Sequence, residues 1–174
     1  MPLNSIHPQS ELLFRQQILK VNFLSSSANM RVAIAVLCLM WLCSCESRTL
    51  GRCDVVRIFK QQGLDGFEGF SLGNYVCTAY WESRFKTHRV RSADTGKDYG
   101  IFQINSFKWC DDGTPGGKNK CNVLCSDLLK DDLKASVECA KLIVKSDGLK
   151  SWDTWDSYCN GRKMTRWLKG CDTH

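Results

Sequence analysis

A chain of 174 residues can bury one sizeable hydrophobic core but is short for two. The hydrophobic content of 43% and the charged content of 24% are typical of a globular domain. The formal net charge of +6 fits either plain solubility or attraction to a polyanionic target such as a bacterial surface. Because the basic residues are scattered and form no binding motif, we expect no nucleic-acid partner.

The N-terminal part of the chain is expected to lie outside the folded domain. Residues 1–29 have no clear hydrophobic periodicity, and we interpret them as an upstream extension that is disordered or untranslated. Residues 30–47 contain a basic residue, an apolar run and then small or polar residues, which is the pattern of a signal peptide. The alternative is a membrane anchor, but a span needs about 20 apolar residues. We therefore expect a secreted domain over 48–174 and no stable membrane insertion.

The cysteines that follow this leader predict a disulfide-stabilised domain. An even number of cysteines behind an export signal is typical of a disulfide framework, although their spacing leaves the pairing open. No histidine lies at ligand spacing from a cysteine pair and there is no CxxC motif, so we expect no metal site and no cofactor. These cysteines are Cys53, Cys77, Cys110, Cys121, Cys125, Cys139, Cys159 and Cys171.

Two helices are predicted at the start of the domain. The first has apolar residues on one face between 55 and 59, and Gly63 ends it. The second is capped by Ser71, carries apolar residues at helical spacing and ends near Glu82.

The rest of the domain predicts a small sheet followed by two more helices. Residues 88–105 are typical of an antiparallel hairpin, with 98–104 as its second strand. Residues 111–120 have the composition of a loop. A third helix is predicted from Leu133 onward, with Gly148 beyond it as a stop, and a short fourth over 152–158. Helices flanking one small sheet give an α+β domain with a helical lobe and a sheet lobe.

Glu82 and Asp98 are the candidate catalytic residues. Glycoside hydrolysis uses one carboxyl group that protonates the leaving oxygen and one that supports the cationic centre, and their pKa values must differ. Glu82 follows the apolar residues 79–81 at the end of a helix face, which favours a protonated acid, whereas Asp98 begins a strand in a polar stretch. Each also has an ordinary alternative, a solvated glutamate at a helix end and an aspartate in a turn.

Tryptophans near the predicted lobe boundaries are candidate sugar-binding residues. The flat indole faces of Trp109, Trp152 and Trp155 suit sugar rings. The alternative is core packing, which we favour for Trp155 and leave open for the other two.

Several motifs together resemble one family. The stretch DYGIFQINS at 98–106 is similar to the C-type lysozymes, as are LDGFEGFSLGNYVC at 64–77 and Glu82-Ser83. The resemblance covers essentially all of 48–174, including the eight cysteines. It implies the lysozyme fold, in which a cleft runs between a helical lobe and a small antiparallel sheet lobe, held by four disulfides. The implied pairs are Cys53–Cys171, Cys77–Cys159, Cys110–Cys125 and Cys121–Cys139.

The resemblance also implies a function. A secreted, monomeric muramidase is expected, which hydrolyses the β-1,4 bonds between N-acetylmuramic acid and N-acetylglucosamine in bacterial peptidoglycan. Glu82 would be the general acid, and Asp98 would be the nucleophile or electrostatic stabiliser. The implied substrate-binding residues are Asn105 near the second carboxylate, Trp109 toward the sugars, Trp152 against the acid and Asp147 near a distal sugar.

The chain departs from the family pattern in the expected cleft. Many members carry two adjacent tryptophans where this chain has Lys108-Trp109, so one stacking surface is missing. The loop before Asp98 is one residue shorter than in many relatives, which leaves sugar contacts in 88–95 unassigned. The family also contains non-catalytic binding or regulatory proteins, which typically lack one or both carboxylates. That is the alternative function, and killing of bacteria through membrane damage is another.

Overall fold

The structure is a computed structural model, and it describes residues 49–171. The predicted extension over 1–29 and the predicted signal peptide over 30–47 lie outside these residues. Within the described part, four α-helices accompany one three-stranded antiparallel sheet. The helices are α1 (Arg52–Gln61), α2 (Leu72–Ser83), α3 (Lys134–Asp147) and α4 (Asp153–Tyr158). The strands are β1 (Val90–Ser92), β2 (Lys97–Tyr99) and β3 (Ile104–Asn105). The predicted α+β class is confirmed.

Short 3₁₀-helices connect these elements, and a long irregular segment joins the sheet to α3. The predicted loop over 111–120 contains no helix and no strand. The 3₁₀-helices are Phe67–Gly69, Cys125–Leu129, Leu149–Ser151 and Met164–Trp167.

Helix α2 lies at the centre of the hydrophobic core. Its side chains are buried around most of its circumference, and it contacts α1, α4 and the 3₁₀-helix over 164–167. Phe59 of α1 stacks on Phe102 with ring centroids 5.1 Å apart. Because Phe102 belongs to the turn between β2 and β3, this stack ties the sheet to the helical core.

Four disulfides cross-link the domain, and the implied pairing is confirmed. They join Cys53 to Cys171, Cys77 to Cys159, Cys110 to Cys125 and Cys121 to Cys139. The first closes a separation of 118 residues, so it removes much conformational freedom from the unfolded chain.

Ser71 precedes α2 as predicted, but the expected cap by its side chain is wrong. The Leu72 backbone N–H donates instead to Asp65 Oδ1 at 3.1 Å. Ser71 Oγ accepts a hydrogen bond from the Asn74 side chain at 3.1 Å. A carboxylate seven positions earlier in the chain therefore satisfies the helix start, which local sequence spacing does not reveal.

The single strand predicted over 98–104 is also wrong. Strand β2 ends at Tyr99, and the chain turns through residues 100–103 before β3 begins. Two carbonyl groups of this turn accept hydrogen bonds from the helical lobe: Ile101 O from Ser83 Oγ at 2.8 Å and Phe102 O from Trp152 Nε1 at 2.8 Å. The apolar residues Ile101 and Phe102 of this turn are therefore buried in the core and do not form one face of a strand.

Gly100 makes this turn possible, and replacing it should destabilise the protein. Its φ is 73°, and a Cβ atom there would overlap the Leu128 carbonyl oxygen. We expect Gly100→Ala to lower the free energy of unfolding by roughly 2–4 kcal/mol, because backbone strain and overpacking add. Gly69→Ala is the control, since Gly69 has a φ of 79° and open space around the Cβ position. Denaturant unfolding of both variants measures the difference, and equal losses would contradict the overlap.

Candidate active site

A cavity of about 370 Å³ lies between the end of α2, the sheet and the start of α4. Five of the six residues predicted for the site line it: Glu82, Asp98, Asn105, Trp109 and Trp152. These residues come from both lobes, so the fold brings together side chains that are far apart in the chain. Asp147, the sixth, is not among the lining residues.

Glu82 lies in the last turn of α2, and its buried side chain lines the cavity. Arg84 and Phe85, which directly follow the helix, have left-handed backbone conformations with φ of 56° and 62°, and these end the helix there. The intervening Ser83 hydroxyl bonds Ile101 O, which holds this helix end against the sheet lobe. Glu82 is only 6% exposed.

The surroundings of Glu82 favour its protonated form. Burial raises the pKa of the Glu82 carboxyl above its ordinary value, because desolvation disfavours the charge. Thr154 Oγ1 donates a hydrogen bond to Glu82 Oε1 at 2.5 Å, and this bond and the nearby Arg91 lower the pKa without cancelling the effect of burial. The Asp98 charge raises it further.

Asp98 has a different environment, in which both carboxylate oxygens accept hydrogen bonds. Asn105 Nδ2 donates to Oδ1 at 2.9 Å from the neighbouring strand β3. Arg91 donates to Oδ2 from strand β1, through Nη2 at 2.9 Å and Nε at 3.3 Å. The antiparallel register places both partners directly opposite Asp98. Asn105 is itself fixed, since it donates to Thr95 O and accepts from the Phe107 backbone N–H.

The two carboxylates face a common guanidinium group. Arg91 Nη2 lies 2.9 Å from Asp98 Oδ2 and 4.0 Å from Glu82 Oε2. The sum of these two distances is therefore an upper limit for the separation of the two oxygens.

Of the three tryptophans predicted near the lobe boundaries, Trp109 and Trp152 line the cavity and Trp155 packs in the core. Trp152 lines the cavity near Glu82, and its Nε1–H bond to Phe102 O fixes the indole across the lobe boundary. Trp155 packs edge-on against Phe70 and bonds the Asn74 side chain, as expected for a core residue.

Lys108 changes the surroundings of Trp109. Its Nζ pairs with Asp147 Oδ2 at 2.5 Å and lies 4.7 Å from the centroid of the Trp109 ring. Lys120 Nζ lies 5.4 Å from the same ring centroid. The Lys108 ammonium holds the pKa of Asp147 below its ordinary value. The residue predicted to reach a distal sugar is thus held by the lysine that stands in place of a tryptophan.

The sequence profile of the C-type lysozyme/alpha-lactalbumin family matches residues 48–171. The chain belongs to this family. Lysozyme C of Pelodiscus sinensis is 48% identical to it over 124 residues, which are 69% of this chain and 95% of that protein.

Family membership fixes the fold but not the activity, because the C-type lysozyme/alpha-lactalbumin family includes catalytic and non-catalytic members. Among the residues that the structure describes, no group of three or more His, Cys, Asp or Glu side chains is arranged to hold a metal ion. No helix within 49–171 is long and apolar enough to cross a membrane.

Of the cavity-lining residues that sequence reasoning missed, Arg91 and Thr154 are the two that contact the carboxyl groups. Arg91 contacts Asp98 only because the hairpin register sets them opposite each other, and that register is not readable from 88–95. Thr154 reaches Glu82 from 72 residues away in the chain, so no local pattern indicates the contact.

Burial of the Glu82 charge should cost stability at neutral pH. The folded-state pKa is raised above the ordinary value of 4.5, so the folded protein holds this proton more tightly than the unfolded chain does. Stability from this group is present below pH 4.5 and is lost as the pH rises through the folded-state pKa. We expect Glu82→Gln to raise the free energy of unfolding more at pH 7 than at pH 3. Denaturant unfolding at both pH values tests this, with Glu138→Gln on the exposed face of α3 as the control. A gain that is independent of pH would contradict it.

Proposed function

We propose that the protein is a secreted, bacteriolytic muramidase that acts as a monomer in antibacterial defence. It hydrolyses the β-1,4 bonds between N-acetylmuramic acid and N-acetylglucosamine in peptidoglycan, and chitin fragments are further substrates. The observation that carries this proposal is the unequal carboxylate pair, a buried Glu82 and a multiply hydrogen-bonded Asp98 lining one cavity. The four disulfides fit an oxidising compartment outside the cell.

Glu82 is the general acid in this proposal. Its raised pKa keeps a proton on the carboxyl group at pH values where an exposed glutamate has lost it. The Thr154 hydrogen bond occupies Oε1, which leaves Oε2 to face the cavity and the leaving glycosidic oxygen. Proton transfer to that oxygen allows the bond to the anomeric carbon to break.

Asp98 is the nucleophile or counter-charge. Its Oδ1 is held by Asn105, so the carboxylate is oriented before the substrate arrives. Retaining glycosidases hold their two carboxyl groups about 5–5.5 Å apart and inverting ones about 6.5–9.5 Å apart. The two Arg91 distances of 2.9 and 4.0 Å limit the separation of the facing oxygens to a span that includes the retaining range and excludes most of the inverting range.

The reaction then has two balanced steps. In the first, Glu82 gives its proton to the leaving sugar while the Asp98 carboxylate bonds or stabilises the anomeric carbon. In the second, the ionised Glu82 takes a proton from water, whose oxygen attacks that carbon and releases Asp98. Two displacements retain the configuration. This mechanism is carried over from the family, since lysozyme is its type case.

Loss of either carboxylate should abolish most of the activity. We expect Glu82→Gln to lower wall lysis by about 10²–10⁴-fold, because an amide cannot deliver the proton, while sugar binding is largely kept. Asp98→Asn should also cost heavily in rate, because the cationic transition state loses its counter-charge. Turbidity clearing of a bacterial wall suspension measures lysis, and NMR of the first-formed anomer determines the stereochemistry.

Glu138→Gln is the matched control, because Glu138 has the same side chain on the exposed face of α3 and pairs only with Lys141 at the surface. Full lysis by the Glu82 variant, or an inverted product, would refute the mechanism. A parent protein that binds wall fragments without cleaving them would indicate the non-catalytic alternative. Bacterial killing that persists in the Glu82 variant would indicate membrane damage.

Lys108 should weaken the binding of neutral sugars. An aromatic face stacked on a sugar contributes roughly 1–2 kcal/mol by analogy with other stacking interactions, and lysine cannot replace it. We expect Lys108→Trp to tighten binding of chitotriose, both by adding an indole and by releasing Asp147 from its ion pair. Lys118→Trp is the control, because it removes the same charge and adds the same ring at a residue that lines a different pocket, together with Asp112 and Asn119. Calorimetric titration of both variants decides, and unchanged or weaker affinity in the Lys108 variant would place residue 108 outside the sugar-binding cleft.

A further inference from the structure

Arg91 is the one basic residue lining the cavity that contains the two carboxylates, among the residues that the structure describes. Its guanidinium bonds Asp98 Oδ2 through two nitrogens and lies 4.0 Å from Glu82 Oε2. The side chain is 51% exposed, so it stays at the cavity wall while reaching both acids. A positive charge in this place affects both the general acid and the nucleophile of the proposed mechanism.

We propose that Arg91 is a positioning residue of the carboxylate pair, which holds Asp98 from strand β1 and sets the pH range over which Glu82 keeps its proton. This inference rests on the proposed function, because it concerns the same two carboxylates. Arg91 acts through Glu82 and Asp98 and is not assigned a bond to the substrate.

The contact with Asp98 alone would be an ordinary cross-strand ion pair. Arg91 and Asp98 are direct neighbours in the β1–β2 register, and opposite charges at such positions stabilise a sheet. The approach to Glu82 is different, because Glu82 belongs to helix α2 and not to the sheet. Arg91 therefore connects the two lobes electrostatically at the point where their carboxylates meet.

The charges around Glu82 decide the direction of the effect. Arg91 from β1 and Arg89 just before that strand lower the pKa of Glu82, and Arg91 has the larger influence of the two. Asp98 from β2 raises it. Asp153 at the start of α4 lines the same cavity, next to Thr154. Burial and the Asp98 charge raise the pKa of Glu82, and Arg91 counteracts them, so removal of the Arg91 charge should raise this pKa.

Arg91 is therefore expected to affect the alkaline side of the pH–rate profile. The general acid works only while Glu82 is protonated, so the alkaline limb of the pH–rate profile follows its ionisation. By favouring the ionised form, Arg91 moves that limb to lower pH than the buried carboxyl alone would give. At the same time it keeps Oδ2 of Asp98 engaged, so that this carboxylate remains oriented between Arg91 and Asn105.

The test is a titration of the Glu82 carboxyl itself. Protein labelled with ¹³C at the glutamate carboxyl carbons is titrated by NMR, and the Glu82 signal is assigned by its absence in Glu82→Gln. We expect Arg91→Gln to shift the Glu82 titration to higher pH and Arg91→Lys to stay close to the parent, because lysine keeps the charge. Arg89→Gln removes an equal charge from a residue with a weaker influence, and it should give a smaller shift in the same direction.

The outcomes separate this inference from the proposed function. A Glu82 titration in Arg91→Gln that coincides with the parent, or a shift no larger than that of Arg89→Gln, would overturn the role of Arg91. The titration needs no catalysis, so it decides this point even if the parent protein fails to lyse bacterial walls. If the parent does lyse walls, the alkaline limb of the Arg91→Gln profile should move in parallel with the NMR titration, and a stationary limb would also count against the inference.

Discussion

Burial of the Glu82 carboxyl group at the junction of α2 and the sheet is the constraint on which the rest of the site depends. A buried carboxyl holds its proton only if water is excluded, and the Trp152 indole and the turn over 100–103 form part of that enclosure. The same turn must approach the helical lobe closely, which requires glycine at position 100. The enclosure lowers stability when Glu82 is charged, so the group that would supply the chemistry works against the fold at neutral pH.

Charged side chains, and not only neutral groups, lie in and near the cavity of the proposed active site. Arg91 stands between the two carboxylates, and Lys108 pairs with Asp147 beside the ring of Trp109. Each cation has an acidic partner close by, so the local charges balance while the chain as a whole carries a net charge of +6. An anionic polymer would meet an overall positive protein in which the charges in and near the cavity are paired with each other.

Local patterns predicted the helices better than the sheet, for a physical reason. The 3.6-residue periodicity of α1, α2 and α3 reports a buried face directly, and each helix was found where that periodicity indicated it. The stretch over 98–104 has the composition of a strand because its apolar residues are buried. The carbonyl groups of Ile101 and Phe102, however, find partners in the side chains of Ser83 and Trp152 and not in a neighbouring strand. An apolar composition indicates that residues are buried, but it does not indicate which group each backbone N–H or C=O will bond, because that depends on tertiary packing.

The sequence by itself determined the family and the α+β class, and it singled out the two carboxylates proposed as catalytic, because motifs such as 98–106 and the eight cysteines are properties of the chain alone. It could not determine how those carboxylates are surrounded. Thr154 reaches Glu82 across 72 positions, and Arg91 reaches Asp98 only through the hairpin register. Lys108 was visible as a departure from the family, but its pairing with Asp147 was not. Only the tertiary structure decided these contacts, because the pKa of a buried group depends on neighbours that the fold, and not the local sequence, brings within a few ångströms.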